Sequence, residues 1–298
     1  MVERMVSKVN VPFGSPLETD LLLQGHFHTY RTDGEYELEA LLDDAIKFGI
    51  NILIPTDHDM TNGAADILTL AEKRGDIHLT NRKEDHFEVK IGQEVTTNDG
   101  HLLIWGGEMS ILCGMSARET AQVAHDMNAL VVVPHPEFQQ GEGISWALVN
   151  ELVELGLIDA VELRNGAQET LTYTKSILSG FPKGKIFANM VSPNGDSNLL
   201  ALRNYRESGG DKWAAVGGQD GHLSKGSSLL KVLTLIPEGM NFQDAIRQRK
   251  SRYSTQNQPE FWGVRMRWKQ LKLSRALEKN RQSNRNGIMC IPIYERSE

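Results

Sequence analysis

Short apolar runs alternate with segments of helical period along the chain, and no repeat, low-complexity tract or long linker interrupts them before about residue 250 of 298. A chain written this way folds as βα units around a largely parallel sheet, because a parallel crossover needs the length of a helix to return to the same side. The strand candidates are 21–25, 50–55, 87–92, 102–105, 130–134, 160–163, 186–191, 213–216 and 229–235. Between them, 37–48 places Leu38, Leu41, Leu42, Ala45 and Ile46 on one helical face and ends at Gly49. A second helix opens at Ser116, where Glu119 completes a capping box. Barrels of this class use roughly 200–250 residues as one domain. The expectation is one barrel over 1–255 followed by an appendage over 256–298.

With 40% hydrophobic and 24% charged residues the composition is that of an ordinary globular protein, which excludes disorder, collagen and coiled coil as global readings. No uncharged apolar stretch reaches the roughly 18 residues a membrane span needs, and the first residues lack a secretory apolar core, so a cytoplasmic protein is expected. Cys113 and Cys290 are isolated and read as free thiols. The net charge of −7 hides an asymmetry: between Phe242 and Arg285 twelve Lys and Arg meet three Asp and Glu. Over 261–280 these form a basic helix with Trp262, Met266, Trp268, Leu271, Leu273 and Leu277 among its apolar positions. Its charges suit a solvated face on a helix packed against the barrel or a partner subunit of a homo-oligomer; a nucleic-acid backbone is the alternative partner. The remaining chain is strongly acidic, the pattern of a protein that holds cations.

Six of the nine histidines, His26, His28, His58, His101, His135 and His222, stand at or near the ends of predicted strands. In a parallel α/β sheet or barrel those ends meet at one face, so residues remote in sequence converge. The strand period turns His26 and His28 of H-F-H to one side, about 7 Å apart by strand rise. Thr29-Tyr30-Arg31-Thr32-Asp33-Gly34 then leaves the strand, with Asp33 either a donor to the site or the N-cap of the next helix. Ile52-Leu53-Ile54-Pro55 runs into Asp57-His58-Asp59, a charged cluster that is costly after a buried run unless metals or hydrogen bonds compensate. Glu94 leaves another strand, His101 follows the Asn98-Asp99-Gly100 turn, and His135 sits between two prolines. Asp220 and His222 close the set as D-G-H. Nine donors exceed what one ion uses. Imidazole with carboxylate suits Zn²⁺, Mn²⁺ or Fe²⁺, and one bridging carboxylate would let two or three divalent ions share the site.

In order, H-x-H, T-x-D-G, T-D-H-D, G-x-E, a following histidine, H-P and D-x-H resemble the polymerase and histidinol phosphatase (PHP) superfamily, from about Asp20 to about Leu235. The resemblance implies a distorted (β/α)7 barrel, TIM-like, with two or three metals at the strand ends. It implies His26, His28 and Asp220 with bridging Glu94 on one metal, Glu94, His101 and His135 on a second, and Asp33, His58 and His222 on a third. Asp57 resembles a residue behind the ligands or a proton carrier. Arg31 replaces a usual small residue and, with Arg164 and Lys225, is a candidate grip on substrate phosphate. Only 33 residues separate His101 from His135, which leaves no room for the inserted domain of nuclease-like members and resembles the compact branch.

The expected activity is hydrolysis of a small phosphomonoester by a hydroxide held between cations, with a phosphodiester, a nucleic-acid end or a carboxyl or carbamate ester as the alternative substrate. No nucleophile elbow, Walker loop or G-x-G-x-x-G follows any predicted strand. A (β/α)8 amidohydrolase would share the opening H-x-H but explains neither T-D-H-D nor His222 beside Asp220. A non-catalytic metal scaffold whose tail recruits a partner would bind metal without turnover.

Overall fold

The computed structural model describes residues 13, 15–80, 83–107, 110–138, 142–167, 197–208, 210, 212–222 and 232–255. The expected strand at 186–191, the basic helix at 261–280, the whole 256–298 appendage and Lys225 lie outside the described residues. In chain order the elements are β1 (Leu21–Gln24), α1 (Leu38–Lys47), β2 (Ile52–Leu53), α2 (Asn62–Arg74), β3 (Glu88–Val89), β4 (Gly92–Thr96) and β5 (His101–Trp105). There follow α3 (Ala117–Asp126), β6 (Leu130–Val133), α4 (Trp146–Glu154), β7 (Ala160–Asn165), α5 (Ser197–Glu207), β8 (Ala214–Gly218), β9 (Val232–Ile236), α6 (Phe242–Arg247) and β10 (Arg252–Thr255).

Among the described residues the strands form two five-stranded sheets, β10-β9-β1-β2-β3 and β4-β5-β6-β7-β8, and no closed sheet. Two parallel backbone bridges, Phe27 to Gly221 and His58 to Glu94, join the sheets at the ends that carry the histidines. Because β2 and β3 are two residues each, the pairing between the sheets there is reduced to a single bridge rather than a ladder. Nor is the sheet largely parallel. The β4–β5, β5–β6, β1–β9 and β9–β10 pairs are antiparallel, while β1–β2, β2–β3, β6–β7 and β7–β8 are parallel. The Thr97-Asn98-Asp99-Gly100 turn is the cause for β4–β5, since a four-residue connection can join only antiparallel neighbours.

The two sheets share an inner core in which Leu23, Ile54, Leu103, Trp105, Val132 and Val216 are buried together. Trp105 of β5 also donates its indole N–H to the Gly25 carbonyl beyond β1, at 2.8 Å. Each such side chain contributes about 1.5–3 kcal/mol on leaving water. Outer cores lie under the helices: Leu41, Leu42 and Ala45 of α1 pack with Ile67 and Ala71 of α2, and Ala117, Ala121 and Ala124 of α3 pack with Val131 and Val149. The expected stop of α1 is present. Gly49 (φ +70°) ends α1, and Asn128 (φ +56°) turns the chain from α3 into β6. The Ser116 hydroxyl accepts from Glu119 N, and the Glu119 carboxylate accepts from Ser116 N, completing the capping box of α3. Cys113 departs from expectation: it is disulfide-bonded rather than a free thiol. Among the described residues no helix is long and apolar enough to cross a membrane.

Candidate metal centre

All nine expected donors converge. They arrive on six strands, β1, β2, β4, β5, β6 and β8, because backbone hydrogen bonds stitch the chain around the strand ends to its neighbours. His28 N donates to Gly221 O (2.9 Å) and Asp220 N to His26 O (2.7 Å), binding the β1 and β8 ends together. Glu94 N donates to Asp57 O (3.1 Å) and Asp59 N to Glu94 O (2.8 Å), binding β4 to the end of β2. Asp33 is not the N-cap of α1, a position held by Glu37 without a side-chain bond, and its carboxylate belongs to the cluster instead.

Glu94 is the centre of the arrangement. Its Oε2 lies 3.4 Å from His26 Nε2, 3.2 Å from His28 Nε2 and 3.5 Å from His58 Nδ1. Its Oε1 lies 2.8 Å from His101 Nδ1 and 3.2 Å from His135 Nε2. The two oxygens of one carboxylate thus face two different sets of imidazoles. Asp220 Oδ1 stands 3.7 Å from His26 Nε2, 3.6 Å from His28 Nε2 and 3.5 Å from His222 Nδ1. Asp33 reaches His222 Nε2 at 2.8 Å through Oδ2 and faces His28 and His58 through Oδ1. Four overlapping groups have donor atoms within 4.8 Å of one another: His26, His28 and Asp220; His26, Glu94 and His135; His58, Glu94 and His101; and His28, Asp33, His58 and His222. The grouping differs from the expected one in two ways: His101 and His135, although both face Glu94 Oε1, fall in separate groups, His101 with His58 and His135 with His26, and His28 joins Asp33, His58 and His222.

Burial and charge give this cluster an appetite for cations. His26 Nε2, both ring nitrogens of His28, His58 Nδ1, His135 Nδ1 and Asp33 Oδ1 are buried with no hydrogen-bond partner. Buried polar atoms left so cost free energy unless something coordinates them. Burial opposes ionisation of Asp33, yet the imidazoles of His222, His28 and His58 overcome it and hold the carboxyl well below the usual range. Glu94 and Asp220 are likewise depressed against the effect of burial, Glu94 chiefly by His58, His101 and His26, Asp220 chiefly by His26 and His28. Burial also works against a charged His28, but Asp33, Asp220 and Glu94 raise it to about 10. His26 is raised for the same reason by Glu162, Asp220 and Glu94. His58 is pushed down to about 3 by burial, with the charge of His28 beside it. In the absence of metal, protons on the imidazoles do the neutralising that divalent cations do when bound. The donor set, neutral imidazole plus carboxylate with no thiolate, fits Zn²⁺, Mn²⁺ or Fe²⁺.

Asp57 stands one layer behind. Its Oδ1 accepts from Thr29 N (2.7 Å) and Thr32 Oγ1 (2.8 Å), and its Oδ2 accepts from Thr29 Oγ1 (2.7 Å). It fixes the loop that delivers Asp33. A Cβ on Gly63 would come within 1.9 Å of Asp57 Oδ2, so α2 can pack there only with glycine. Arg31 does not enter the centre: it pairs with Asp66 at the surface, its guanidinium 5.2 Å from the Tyr30 ring. Arg164 is half-buried on β7. Two residues that the spacing of motifs did not mark are Glu162 and Asn165 of β7, both buried against the donors.

The fold and the donor set together define a mixed α/β protein with a buried, histidine-rich centre organised around one carboxylate. No family model matches the chain. An uncharacterized protein of Methanocaldococcus jannaschii is 29% identical over 133 residues, covering 45% of this chain and 68% of that protein. Among solved structures, a two-domain protein from Bacteroides vulgatus containing a predicted PHP-like metal-dependent phosphoesterase superposes with a TM-score of 0.57 at 15% identity, over 82% of this chain and 67% of that one. PsfC from Pseudomonas syringae superposes with a TM-score of 0.53 at 14% identity, over 87% and 99%. The chain shares its fold with these two structures.

Proposed function

We propose that the chain is a metal-dependent hydrolase of phosphoesters, with a small phosphomonoester as substrate. The observation that carries this reading is Glu94, whose two oxygens face His26, His28 and His58 on one side and His101 and His135 on the other. A carboxylate placed so suits two neighbouring cations, with the group of His28, Asp33, His58 and His222 suited to a third. Divalent ions bound there supply a water of lowered pKa and neutralise charge that builds on phosphoryl oxygens. The protein's own part is to hold the donors in register. Glu94 fixes the separation of the two sides, Asp57 fixes the Thr29–Asp33 loop, and the buried walls keep bulk water from screening the charges.

The test is release of inorganic phosphate from phosphomonoesters, sugar phosphates and nucleotides at several Mn²⁺ or Zn²⁺ concentrations, with a diester and a carboxyl ester alongside. Monoester turnover abolished by chelator is the expected result. Silence on monoesters with cleavage of the diester or carboxyl ester overturns the substrate and keeps the centre. For a nucleic-acid substrate engaged by residues 256–298, affinity would fall steeply with salt and vanish on their deletion.

A further inference from the structure

Of the central strands that end at the cluster, β7 supplies no donor to it, yet it carries a carboxylate held by three hydrogen-bonding partners around it. Glu162 is buried, and each of its oxygens is used. Oε1 lies 2.7 Å from His26 Nδ1. Oε2 accepts from the His135 backbone N–H (3.1 Å) and from Asn165 Nδ2 (3.1 Å). Asn165 Nδ2 also reaches Asp220 Oδ2 at 3.3 Å. The end of β7 is itself clamped to α5: Asn198 Oδ1 accepts from Asn165 N (2.9 Å) and Asn198 Nδ2 donates to Asn165 O (3.1 Å). Gly218 on the adjacent strand leaves the room, since a Cβ there would lie 1.9 Å from Glu162 Oε1 and 2.6 Å from His26 Cβ.

Two donors from two other strand ends therefore hang on one carboxylate, and Asp220 hangs on the Asn165 amide that the carboxylate holds. Two of them need holding, because His135 (φ +27°) and Asp220 (φ +51°) sit in backbone conformations that non-glycine residues adopt at a cost. The third, His26, needs its proton placed. A ring that gives its Nδ1–H to Glu162 presents an Nε2 lone pair toward Glu94 and Asp220, where a cation would sit.

We propose that Glu162, with Asn165, is the positioning pair of the metal centre: it fixes the tautomer of His26 and anchors His135 and Asp220, and so sets metal affinity without itself touching metal or substrate. This rests on the metal-centre reading above. Glu162→Gln separates charge and tautomer from shape. The His135 N–H and the Asn165 amide both donate to one end of residue 162, so the glutamine carbonyl must take that end. Its NH₂ then faces His26 Nδ1, which forces the ring proton onto Nε2 and removes the lone pair from the site.

The experiment compares parent, Glu162→Gln, His26→Ala and the double variant by zinc and manganese affinity in competition with a chromophoric chelator. Nitrogen chemical shifts of His26 are read in the zinc-loaded parent. The expected results are His26 protonated on Nδ1 in the parent, affinity about 10–100-fold weaker in Glu162→Gln, and a double variant no weaker than His26→Ala alone. Parental affinity in Glu162→Gln, or effects that add in the double variant, overturns the proposal. If Glu162→Gln fails to fold, the parent spectrum still decides, because a proton on Nε2 of His26 overturns the proposal unaided. A parent that takes up neither metal overturns the centre itself, a different failure from a parent that binds metal with no help from Glu162.

Discussion

Nine histidines divide into two populations that look alike residue by residue and differ in company. His125 has its Nε2 3.0 Å from Asp159 Oδ2, and His86 has its Nδ1 2.9 Å from Thr80 O with Glu88 at 3.7 Å from its Nε2. Each of these pairs an imidazole with one carboxylate, as the cluster histidines do. Yet around them no group of three donors forms among the described residues, whereas the cluster builds four such groups from nine residues. A histidine beside one acid is thus an ordinary structural pairing. What marks a centre is several imidazoles sharing one carboxylate with buried nitrogens left over, because only a cation resolves both the excess of lone pairs and the excess of negative charge.

The largest expected effect comes from removing the shared carboxylate. Glu94→Ala leaves five imidazoles without their common partner, and turnover and bound metal are expected to fall to background while circular dichroism stays that of the parent. His135→Ala is expected to abolish turnover as well. Full activity in either purified variant would break the distinction between the two populations.

Stripping metal with a chelator is the next largest. At free metal about 1,000 times its dissociation constant, binding to the folded state alone stabilises by about 4 kcal/mol. For a chain of this size that is a loss on the order of 10 °C in unfolding temperature. The pH dependence has a definite sign. His26, His28, His135 and His222 are raised above the ordinary imidazole value in the metal-free protein, so protons compete with metal up to those raised values. Metal uptake in weakly buffered solution should release protons, and apparent affinity should fall as pH falls. Uptake with no proton release would contradict the electrostatics of the cluster.

The cluster was legible in the sequence because its donors are placed by a rule: they stand where buried strands end, and strand ends share a face. Two things escaped that rule. The hairpin of β4 and β5 was read as strands at 87–92 and 102–105, because Glu94, Thr96 and Thr97 look polar until their partners across the hairpin and at the end of β2 are known. A barrel was expected from the alternation of apolar runs with helical segments and from the family resemblance, but ladder length depends on how many residues each strand gives to pairing, and β2 gives two before its chain turns to Thr56-Asp57-His58. Glu162 escaped for a different reason. It lies 136 residues from His26, and within Glu162-Leu163-Arg164-Asn165 nothing ranks it above Arg164 until the tertiary contact is made.

The smaller predictions lie on the other side of the comparison, along α3, which carries a capping serine at one end and His125 in its last turn. His125→Ala removes one partner of Asp159, which still accepts from Val131 N at 2.8 Å, so a loss of about 1 kcal/mol is expected with metal content unchanged. Ser116→Ala removes the hydroxyl that accepts from Glu119 N at 3.2 Å and is expected to cost about 0.5–1 kcal/mol, again with full metal content. Its hydrogen bonds with the Ser116 hydroxyl and backbone hold the Glu119 carboxyl below its ordinary value, so the cap's contribution is complete above that ordinary value and is lost as pH falls through the lowered one. The difference in stability between parent and Ser116→Ala should therefore shrink in acid. A change of bound metal in either variant would show that α3 communicates with the centre, which its packing against β5 and β6 on the outer side of their sheet argues against.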